Sequence, residues 1–364
     1  MPHAPQQTTT MKAAMYYGAK DIRIEEVVKP ALQPGHCLVK VAYCGICGTD
    51  GPILIPGKQP HPVTKCSLAD GICLGHEFSG VVEEVGSDVE GWQKGDRVVI
   101  EAVISCHECY ACKIGCNNAC AKLGFVGISG LGGGLAEYFL SPASYLHRVP
   151  PGVSLRQAAM SEPLAVAVHA VRRSGFQKGM SALVLGAGPI GVFITKVLIA
   201  QGASKVIISE PSSTRRAKAA LAGAHHLFSP VEDNIPARVR ELTGADEGVD
   251  VAFEAAGNER ALDAGIRALK VRGTLLNVSV WSKPPKIDMN EVVFKERQIL
   301  GASCYKDDHP AVMEALGSGL INLEDFVTAV IPLGDLVEKG FEELVHNNEN
   351  HVKILVSPSG DVSL

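Results

Sequence analysis

The stretch that decides the fold is SALVLGAGPIGVFITKVLIA, residues 181–200. It begins with a short apolar run that predicts a buried strand, Ser181–Leu185, and a G-x-G-x-x-G pattern then leads into a predicted helix, Ile190–Gln201. Glycines in this pattern allow a tight turn and bring the backbone and a helix N-terminus close to a pyrophosphate. A glycine turn that only reverses the chain is the alternative, which the complete strand–loop–helix unit disfavours. The predicted cofactor contacts are Gly186, Gly188, Pro189, Ile190 and Gly191.

The next predicted strand, Lys205–Ser209, ends in an acidic residue, Glu210. A carboxylate at this place can accept a hydrogen bond from the ribose 2′-hydroxyl and repels a 2′-phosphate, so we expect NAD rather than NADP. Arg215 and Arg216 follow a few residues later and could hold a 2′-phosphate, although a solvated first helical turn is the simpler interpretation. Arg215 is therefore also a candidate cofactor contact.

Outside this strand–loop–helix unit, the two halves of the chain differ in their predicted secondary structure. Strands and helices alternate after residue 181, with a helix predicted over Glu259–Lys270 and strands over Val249–Phe253 and Thr274–Val278, which indicates a parallel sheet covered by helices. Before about residue 155, short Val-rich segments bounded by Gly, Pro or Asp predict a β-rich domain. Its predicted strands include Cys37–Tyr43, Gly80–Val85 and Arg97–Glu101.

We predict an α/β fold of two domains. The first spans residues 1–158 and is rejoined by residues 306–364, whose end contains two helices and a final strand, Val352–Val356. The second, residues 159–305, is a Rossmann domain that binds NAD.

Composition favours an ordinary globular enzyme. The 364 residues are 46% hydrophobic and 20% charged with a net charge of −5, which disfavours nucleic acid and acidic membranes as partners. Residues 1–10 lack the apolar core of a signal peptide, and no apolar run reaches membrane length. Eleven cysteines, an odd number with four close together, favour metal binding in a reducing compartment, so we expect a cytoplasmic protein.

Four cysteines in the β-rich half follow the pattern C-x2-C-x2-C-x7-C. Four thiolates at this spacing can surround Zn²⁺ as a tetrahedron and leave no position for a substrate. A disulfide-bonded or simply buried cluster is the alternative, which a reducing compartment disfavours. The pattern therefore predicts a structural zinc lobe. Its ligands are Cys106, Cys109, Cys112 and Cys120.

Three separate segments carry further metal-type residues: CGICGTD at 44–50, GHE at 75–77 and SEPL at 161–164. Each alone is a weak signal, because a His beside a Glu is commonly a structural pair and a Glu before Pro commonly begins a helix. Together they offer a thiolate, an imidazole and carboxylates, a set that suits a catalytic zinc with an open position. Such a site helps an alcohol to lose its proton, which Thr49 could pass to solvent.

The chain resembles the zinc-containing medium-chain dehydrogenase/reductases over nearly its whole length. Within that family it is most similar to the 2,3-butanediol dehydrogenases, and next to sorbitol and other polyol dehydrogenases. Apart from the cysteine lobe, the resemblance rests on GICGTD at 45–50, LGHEFSG at 74–80, EPLAVAVHA at 162–170, VLGAGPIG at 184–191 and SEPS at 209–212.

The resemblance implies a GroES-like catalytic domain and a Rossmann domain with the active site in the cleft between them. It implies that the catalytic zinc is held by Cys47 rather than Cys44, by His76, and by Glu162 where other alcohol dehydrogenases carry a cysteine. By the same resemblance Glu77 lies beside the metal and can ligate it in some states, and Thr49 is the hydroxyl of the proton relay. It also favours Cys120 over Cys116 as the fourth lobe ligand, and relatives form dimers or tetramers.

One region departs from the family. Many relatives carry a histidine five residues after the zinc cysteine, which extends the proton relay, but this chain has Pro52 there. The segment Lys65–Cys73 is slightly long and contains two unusual cysteines. Both differences favour a larger or more apolar substrate than butanediol.

The sequence thus predicts a zinc-dependent oxidoreductase that moves a hydride between a secondary alcohol or vicinal diol and NAD. We expect two Zn²⁺ per subunit, a small-molecule substrate and a homodimer or homotetramer. One alternative is a biosynthetic alcohol dehydrogenase for a larger specialised metabolite. A second is a non-catalytic zinc- and nucleotide-binding protein, which is disfavoured because such a protein does not need an open metal site.

Overall fold

The computed structural model describes four stretches of the chain, residues 9–18, 20–47, 70–244 and 247–360. Thr49, Pro52 and Cys66 lie outside the described residues. Within these stretches no helix combines the length and the apolar character that crossing a membrane requires. The cysteines described there are not joined in disulfides.

The first part of the chain consists mainly of short strands, as its glycine-bounded Val-rich segments predict. The three strands predicted over Cys37–Tyr43, Gly80–Val85 and Arg97–Glu101 are observed, with shifted ends, at His36–Gly45, Glu77–Val85 and Arg97–Ile100. The elements are β1 Thr10–Gly18, β2 Asp21–Val28, β3 His36–Gly45, β4 Ile72–Cys73, β5 Glu77–Val85, β6 Arg97–Ile100, β7 Val103–Ile104, α1 Tyr110–Lys113, β8 Gly124–Phe125, β9 Tyr138–Pro142, β10 Leu146–Arg148 and α2 Leu155–Ala158.

The middle of the chain alternates helices with strands. Its elements are α3 Ser161–Arg173, β11 Ser181–Leu185, α4 Pro189–Ala200, β12 Lys205–Ser209, α5 Ser213–Leu221, β13 His226–Phe228, α6 Ile235–Thr243, β14 Val249–Glu254, α7 Glu259–Ala268, β15 Leu269–Asn277, α8 Met289–Val293, β16 Gln298–Gly301 and α9 His309–Gly317. The helix predicted to reach Lys270 ends at Ala268, because Leu269 takes up extended backbone and pairs with Val249 of β14.

The last part of the chain is short and mixed. Its elements are β17 Val327–Pro332, a π-helix Leu336–Glu342, α10 Glu343–His346 and β18 Lys353–Ser357. The predicted final strand is therefore present one residue further along the chain. It pairs antiparallel with β3, with Leu355 opposite Gly45 and Val356 opposite Cys44.

Over the described residues the chain forms two compact units. Their bounds are Met1–Glu162, Val327–Asn348 and Lys353–Leu364 for the first unit, and Pro163–Phe326 and Glu349–Val352 for the second. Residues 306–326, which the sequence-based division assigned to the first domain, thus pack in the second unit. The reason is that the buried Asp308 contacts two residues of α3, His169 at 3.0 Å and the exposed Arg172 at 3.1 Å.

The sheets of the two units differ in direction. Among the described residues, the second unit contains one sheet of six parallel strands in the order β13-β12-β11-β14-β15-β16, which is the Rossmann order. The order reverses between β11 and β14, where open α/β sheets bind ligands. The main described sheet of the first unit has the order β10-β6-β5-β3-β18-β17, with β9 also on β3. Each unit has its own buried apolar core.

Candidate active site

The pairing of β3 with β5 brings a thiol, an imidazole and a carboxylate together in the first unit. Gly45, the last residue of β3, lies opposite Glu77, the first residue of β5. Cys47 follows β3 directly and His76 precedes β5, so the donor atoms of Cys47, His76 and Glu77 lie within 4.8 Å of one another. His76 and Glu77 are buried and Cys47 is half-buried. We call these three residues the mixed site.

Cys44 is not part of the mixed site. Its side chain is fully buried in the core of the first unit, where its Sγ lies 3.6 Å from the carbonyl oxygen of Gly45. A glycine is required beside it: Gly75 has a φ of +98°, and a Cβ there would lie only 2.6 Å from the Cys44 Sγ. The chain can therefore pass Cys44 and present His76 only because residue 75 has no side chain.

A buried ion pair supports the mixed site from a distant part of the chain. The Nζ of Lys353, on β18, lies 2.5 Å from Oε2 of Glu77, and the side chains are 3% and 2% exposed. Lys353 also donates a hydrogen bond to the carbonyl oxygen of Ile46 at 3.2 Å. Sequence reasoning missed this lysine, although a charged residue inside the apolar run VKILV was a signal. Because a buried charge without a partner is costly, the ion pair is what allows both side chains to be buried.

Glu162 contributes to the electrostatics of the mixed site through Lys353. Burial by itself lowers the pKa of Lys353, but the nearby Glu77, Cys47 and Glu162 outweigh it and raise that pKa above its ordinary value. Glu162 lies in the first turn of α3 and is 5% exposed. Its carboxylate does not join the three donors of the mixed site within 4.8 Å. Glu162 is therefore close enough to act on the charge of Lys353, and it is outside the group of three donors.

The chemistry of these donors fits zinc. One thiolate, one imidazole and the carboxylates of Glu77 and Glu162 are oxygen, nitrogen and sulfur ligands that Zn²⁺ accepts, and a set of unlike ligands is typical of catalytic rather than structural zinc. Cys47, His76 and Glu162, with Glu77 beside them, are the residues that would hold it.

The four predicted cysteines form a second group, which we call the cysteine lobe. The Sγ of Cys120 lies 3.4 Å from that of Cys106, and the Sγ of Cys109 lies 3.5 Å from that of Cys112 and 3.9 Å from that of Cys120. Tetrahedral zinc with bonds of about 2.3 Å separates its sulfur ligands by about 3.8 Å, so the group fits a closed zinc site. Cys116 is exposed and lies outside the group.

Backbone N–H groups donate hydrogen bonds to two sulfurs of the cysteine lobe. Ala121 donates to Cys109 at 3.5 Å and Lys122 donates to Cys120 at 3.2 Å. Hydrogen bonds from the backbone at Ala121 and Cys112 lower the pKa of Cys109 to about 6. Thiolates are the form that binds zinc, so these hydrogen bonds favour the metal-binding form of Cys109. At Cys112, burial and the neighbouring thiols instead raise the pKa to about 12.

The predicted cofactor loop lines a cleft of about 930 Å³ in the second unit. Gly186 has a φ of +97°, and Gly188 is the N-cap of α4 with Pro189 in its first turn. A Cβ at Gly191 would lie 2.0 Å from the carbonyl oxygen of Gly186, so only glycine allows this packing. The cleft is also lined by Glu210, Pro211, Arg215, Ala255, Ala256 and Asn258.

Glu210 joins the cofactor loop to the end of β12. Its Oε2 accepts a hydrogen bond from Ala187 N at 2.8 Å and its Oε1 accepts one from Ser212 N at 3.0 Å. The carboxylate is therefore fixed at the rim of the cleft with further lone pairs available to a ribose hydroxyl. Arg216 instead donates to the carbonyl oxygens of Glu210 and Pro211, both at 2.7 Å.

A second acid beside the cleft was not predicted. Glu254, at the carboxyl end of β14, is fully buried and accepts hydrogen bonds from Ala256 N at 3.0 Å and Asn258 N at 3.4 Å. Burial raises the pKa of Glu254 above its ordinary value. Glu254 thereby holds the turn at Ala256. This turn packs closely on the cofactor loop, because a Cβ added at Gly186 would lie 3.1 Å from the Cβ of Ala256. Its position at a strand end beside the reversal of the sheet was the available signal.

Comparisons with known proteins agree with this arrangement. Residues 33–151 match the alcohol dehydrogenase GroES-like domain, and residues 189–318 match the zinc-binding dehydrogenase domain. The (R,R)-butanediol dehydrogenase of Neisseria gonorrhoeae is 42% identical over 358 residues, which cover 96% of this chain and 100% of that protein.

Solved structures are similar over the same length. The crystal structure of 2R,3R-butanediol dehydrogenase from Bacillus subtilis is 40% identical, with a TM-score of 0.88 and coverage of 96% of this chain and 99% of that one. A structure from Sinorhizobium meliloti, described as a zinc-binding dehydrogenase bound to NADP, is 30% identical, with a TM-score of 0.85 and coverage of 96% and 100%. The sequence-based assignment of fold and family is thereby confirmed.

Proposed function

This chain belongs to the zinc-binding alcohol dehydrogenases, and on that basis we propose that it transfers a hydride between a vicinal diol or secondary alcohol and NAD. The observation that carries the proposal is the mixed site, in which a half-buried thiol, a buried imidazole and a buried carboxylate lie together, a set of unlike donors typical of catalytic zinc. Because two similar proteins are named for (R,R)-butanediol, the (R,R) isomer of 2,3-butanediol is the first substrate to test.

Cys47, His76 and Glu162 would hold the zinc, which when bound would supply Lewis-acid stabilisation of negative charge on the substrate oxygen. The protein residues set the conditions for that chemistry. Lys353 balances the charge of Glu77, so the donor set can be buried without an unpaired carboxylate. We assign the transfer of the hydroxyl proton to Thr49, by the family resemblance.

On the cofactor side, the second unit supplies binding and orientation. The N–H groups at the N-terminus of α4, next to Gly188, favour the pyrophosphate. Glu210 accepts a hydrogen bond from the ribose 2′-hydroxyl and repels a 2′-phosphate, which supports NAD over NADP. Arg215 lines the same cleft and contacts the cofactor there.

We further propose two Zn²⁺ per subunit, one at each cysteine-containing site, in a cytoplasmic homodimer or homotetramer. Exposed apolar side chains support self-association: Met289, Val293 and Phe294 are 55%, 62% and 79% exposed. Light scattering after size-exclusion chromatography gives the subunit number, and metal analysis of the purified protein gives the zinc content.

A substrate larger than butanediol is the second candidate, which Pro52 in place of the relay histidine favours. The test is turnover of a diol and secondary-alcohol panel with NAD or NADP, followed by absorbance of the reduced cofactor. Higher kcat/KM for (R,R)-2,3-butanediol with NAD supports the first proposal, and a bulkier alcohol as the better substrate supports the second. No turnover with any alcohol by protein loaded with zinc would contradict both and favour a non-catalytic role.

A further inference from the structure

A short segment near the C-terminus brings an acid to the start of α5. Oε2 of Glu349 accepts a hydrogen bond from Oγ of Ser212 at 3.1 Å. Ser212 is the N-cap of α5, and its Oγ accepts a hydrogen bond from Arg215 N at 3.3 Å. Lys218, on the same helix, donates to the carbonyl oxygen of Asn350. The segment is therefore held to α5 at two points within the second unit.

Glu210 reaches the same N-cap residue. Its Oε1 accepts the hydrogen bond of Ser212 N at 3.0 Å, while Glu349 accepts that of the Ser212 hydroxyl. Helix N-termini attract anions, and in Rossmann folds the residues after the second strand meet the 2′ position of the adenosine ribose. The two donors that Ser212 could offer a 2′-phosphate are thus already bound to carboxylates.

The two arginines that follow β12 differ in their surroundings. Arg216 is turned toward the main-chain carbonyls of Glu210 and Pro211, whereas Arg215 is among the residues that line the cleft. A dianionic 2′-phosphate at the start of α5 would therefore meet two carboxylates, and of these two arginines only Arg215 lines the cleft. A neutral 2′-hydroxyl has no such penalty, because it can donate to a carboxylate.

We propose that Glu349 is a second cofactor-specificity residue, which acts with Glu210 to exclude the 2′-phosphate of NADP by charge. The inference rests on the NAD preference proposed above and adds a residue from a distant part of the chain, 137 positions from its partner Ser212. Glu349 repels the phosphate and does not contribute to the affinity for NAD.

The test compares ligands that differ only in the 2′-phosphate. Glu349→Gln removes the charge but keeps a side-chain oxygen that can accept the hydrogen bond from the Ser212 hydroxyl. Glu314→Gln, at an exposed position on α9, is the matched control because it changes net charge equally. Calorimetry gives the Kd of adenosine 2′,5′-bisphosphate and of 5′-AMP for each protein, and kinetics give kcat/KM with NADP and NAD.

We expect Glu349→Gln to tighten binding of the bisphosphate and to raise kcat/KM with NADP by roughly three- to ten-fold. Affinity for 5′-AMP and kcat/KM with NAD stay within about twofold, Glu314→Gln changes neither, and the gain shrinks at high salt.

Equal changes with both ligands would mean that Glu349 only holds the local structure, which overturns the inference, as would no change at all. If the unmodified protein binds the bisphosphate as tightly as 5′-AMP and uses both cofactors equally, the NAD preference itself is wrong. That result is distinct, because it appears before any substitution is made.

Discussion

The mixed site and the cysteine lobe both offer zinc ligands in the first unit, but they stabilise negative charge in different ways. In the lobe, sulfurs lie 3.4–3.9 Å apart within one short stretch of chain, and backbone N–H groups of Ala121 and Lys122 donate to them. In the mixed site the donors are unlike and two of the three are buried, and the balancing cation, Lys353, lies 276 residues from its partner Glu77. On the proposed assignment, the metal that only stabilises the fold is held by local sequence, whereas the reactive metal site uses long-range partners.

Replacing Cys47 tests the comparison most strongly. We expect Cys47→Ala to lose the mixed-site zinc and to lower kcat by several orders of magnitude, because the thiolate ligand is removed. Cys44→Ala is the control: it creates a small core cavity that costs about 1 kcal/mol and leaves kcat nearly unchanged. Zinc content and turnover are measured in parallel. Loss of metal in the Cys44 variant with retention in the Cys47 variant would reverse the assignment and remove the basis for Thr49 as the relay.

Lys353→Met tests the long-range support of the mixed site. It leaves Glu77 as a buried carboxylate without its cation, so we expect a loss of about 3–5 kcal/mol in unfolding free energy. Turnover falls by about 10- to 100-fold, as when groups that orient metal ligands are removed. Lys353→Arg keeps the charge and recovers part of both losses. Urea unfolding measures the unfolding free energy and steady-state kinetics measure turnover. If Lys353→Met changes neither value, the ion pair is dispensable.

Cys109→Ser tests the proposal that the lobe is structural. One zinc per subunit is lost and the Tm falls by about 10 °C or more, because metal binding energy at such a lobe is folding energy. The kcat of the protein that remains folded changes little. Cys116→Ser, at the exposed thiol outside the lobe, leaves both zinc content and Tm as they were. A large fall in kcat without a fall in Tm would place the lobe in catalysis and end the distinction between the two sites.

Glu254 extends the comparison to a buried acid that backbone N–H groups hold, as they hold the lobe sulfurs. Burial raises the folded-state pKa of Glu254 above the ordinary value near 4.5. The contribution of this group to the unfolding free energy is therefore fully present below that pH, where the carboxyl is protonated. It is lost as pH rises through the raised value, by at most about 1.4 kcal/mol per pH unit. The Glu254→Gln variant stays neutral at this position. Its unfolding free energy should therefore rise relative to that of the unmodified protein as the pH increases from about 4.5 through the raised pKa. Urea unfolding at several pH values measures it, and a difference independent of pH would contradict the prediction.

Much of the fold could be predicted because its signals are local. The helix predicted over Ile190–Gln201 is observed over Pro189–Ala200, and the strand Ser181–Leu185 is observed with the same ends. The edge strands β13 and β16 and the helix α6 were not predicted. The two strands are only three and four residues long, too short for a clear period, although Asn234 and Pro236 were a start signal for α6.

The sequence by itself determined the features that a few neighbouring residues can build: the glycine loop and the cysteine lobe. Each depends on turns, main-chain hydrogen bonds and spacings within one short stretch of chain, residues 186–191 for the loop and residues 106–122 for the lobe. Only the tertiary structure decided which residues meet across the chain. The register of β3 against β5 and β18 joins Cys47, Glu77 and Lys353, and a crossing segment brings Glu349 to Ser212. The Glu77–Lys353 pair forms because burial forces each charge to find a partner, and no local pattern records which distant residue will meet either Glu77 or Ser212.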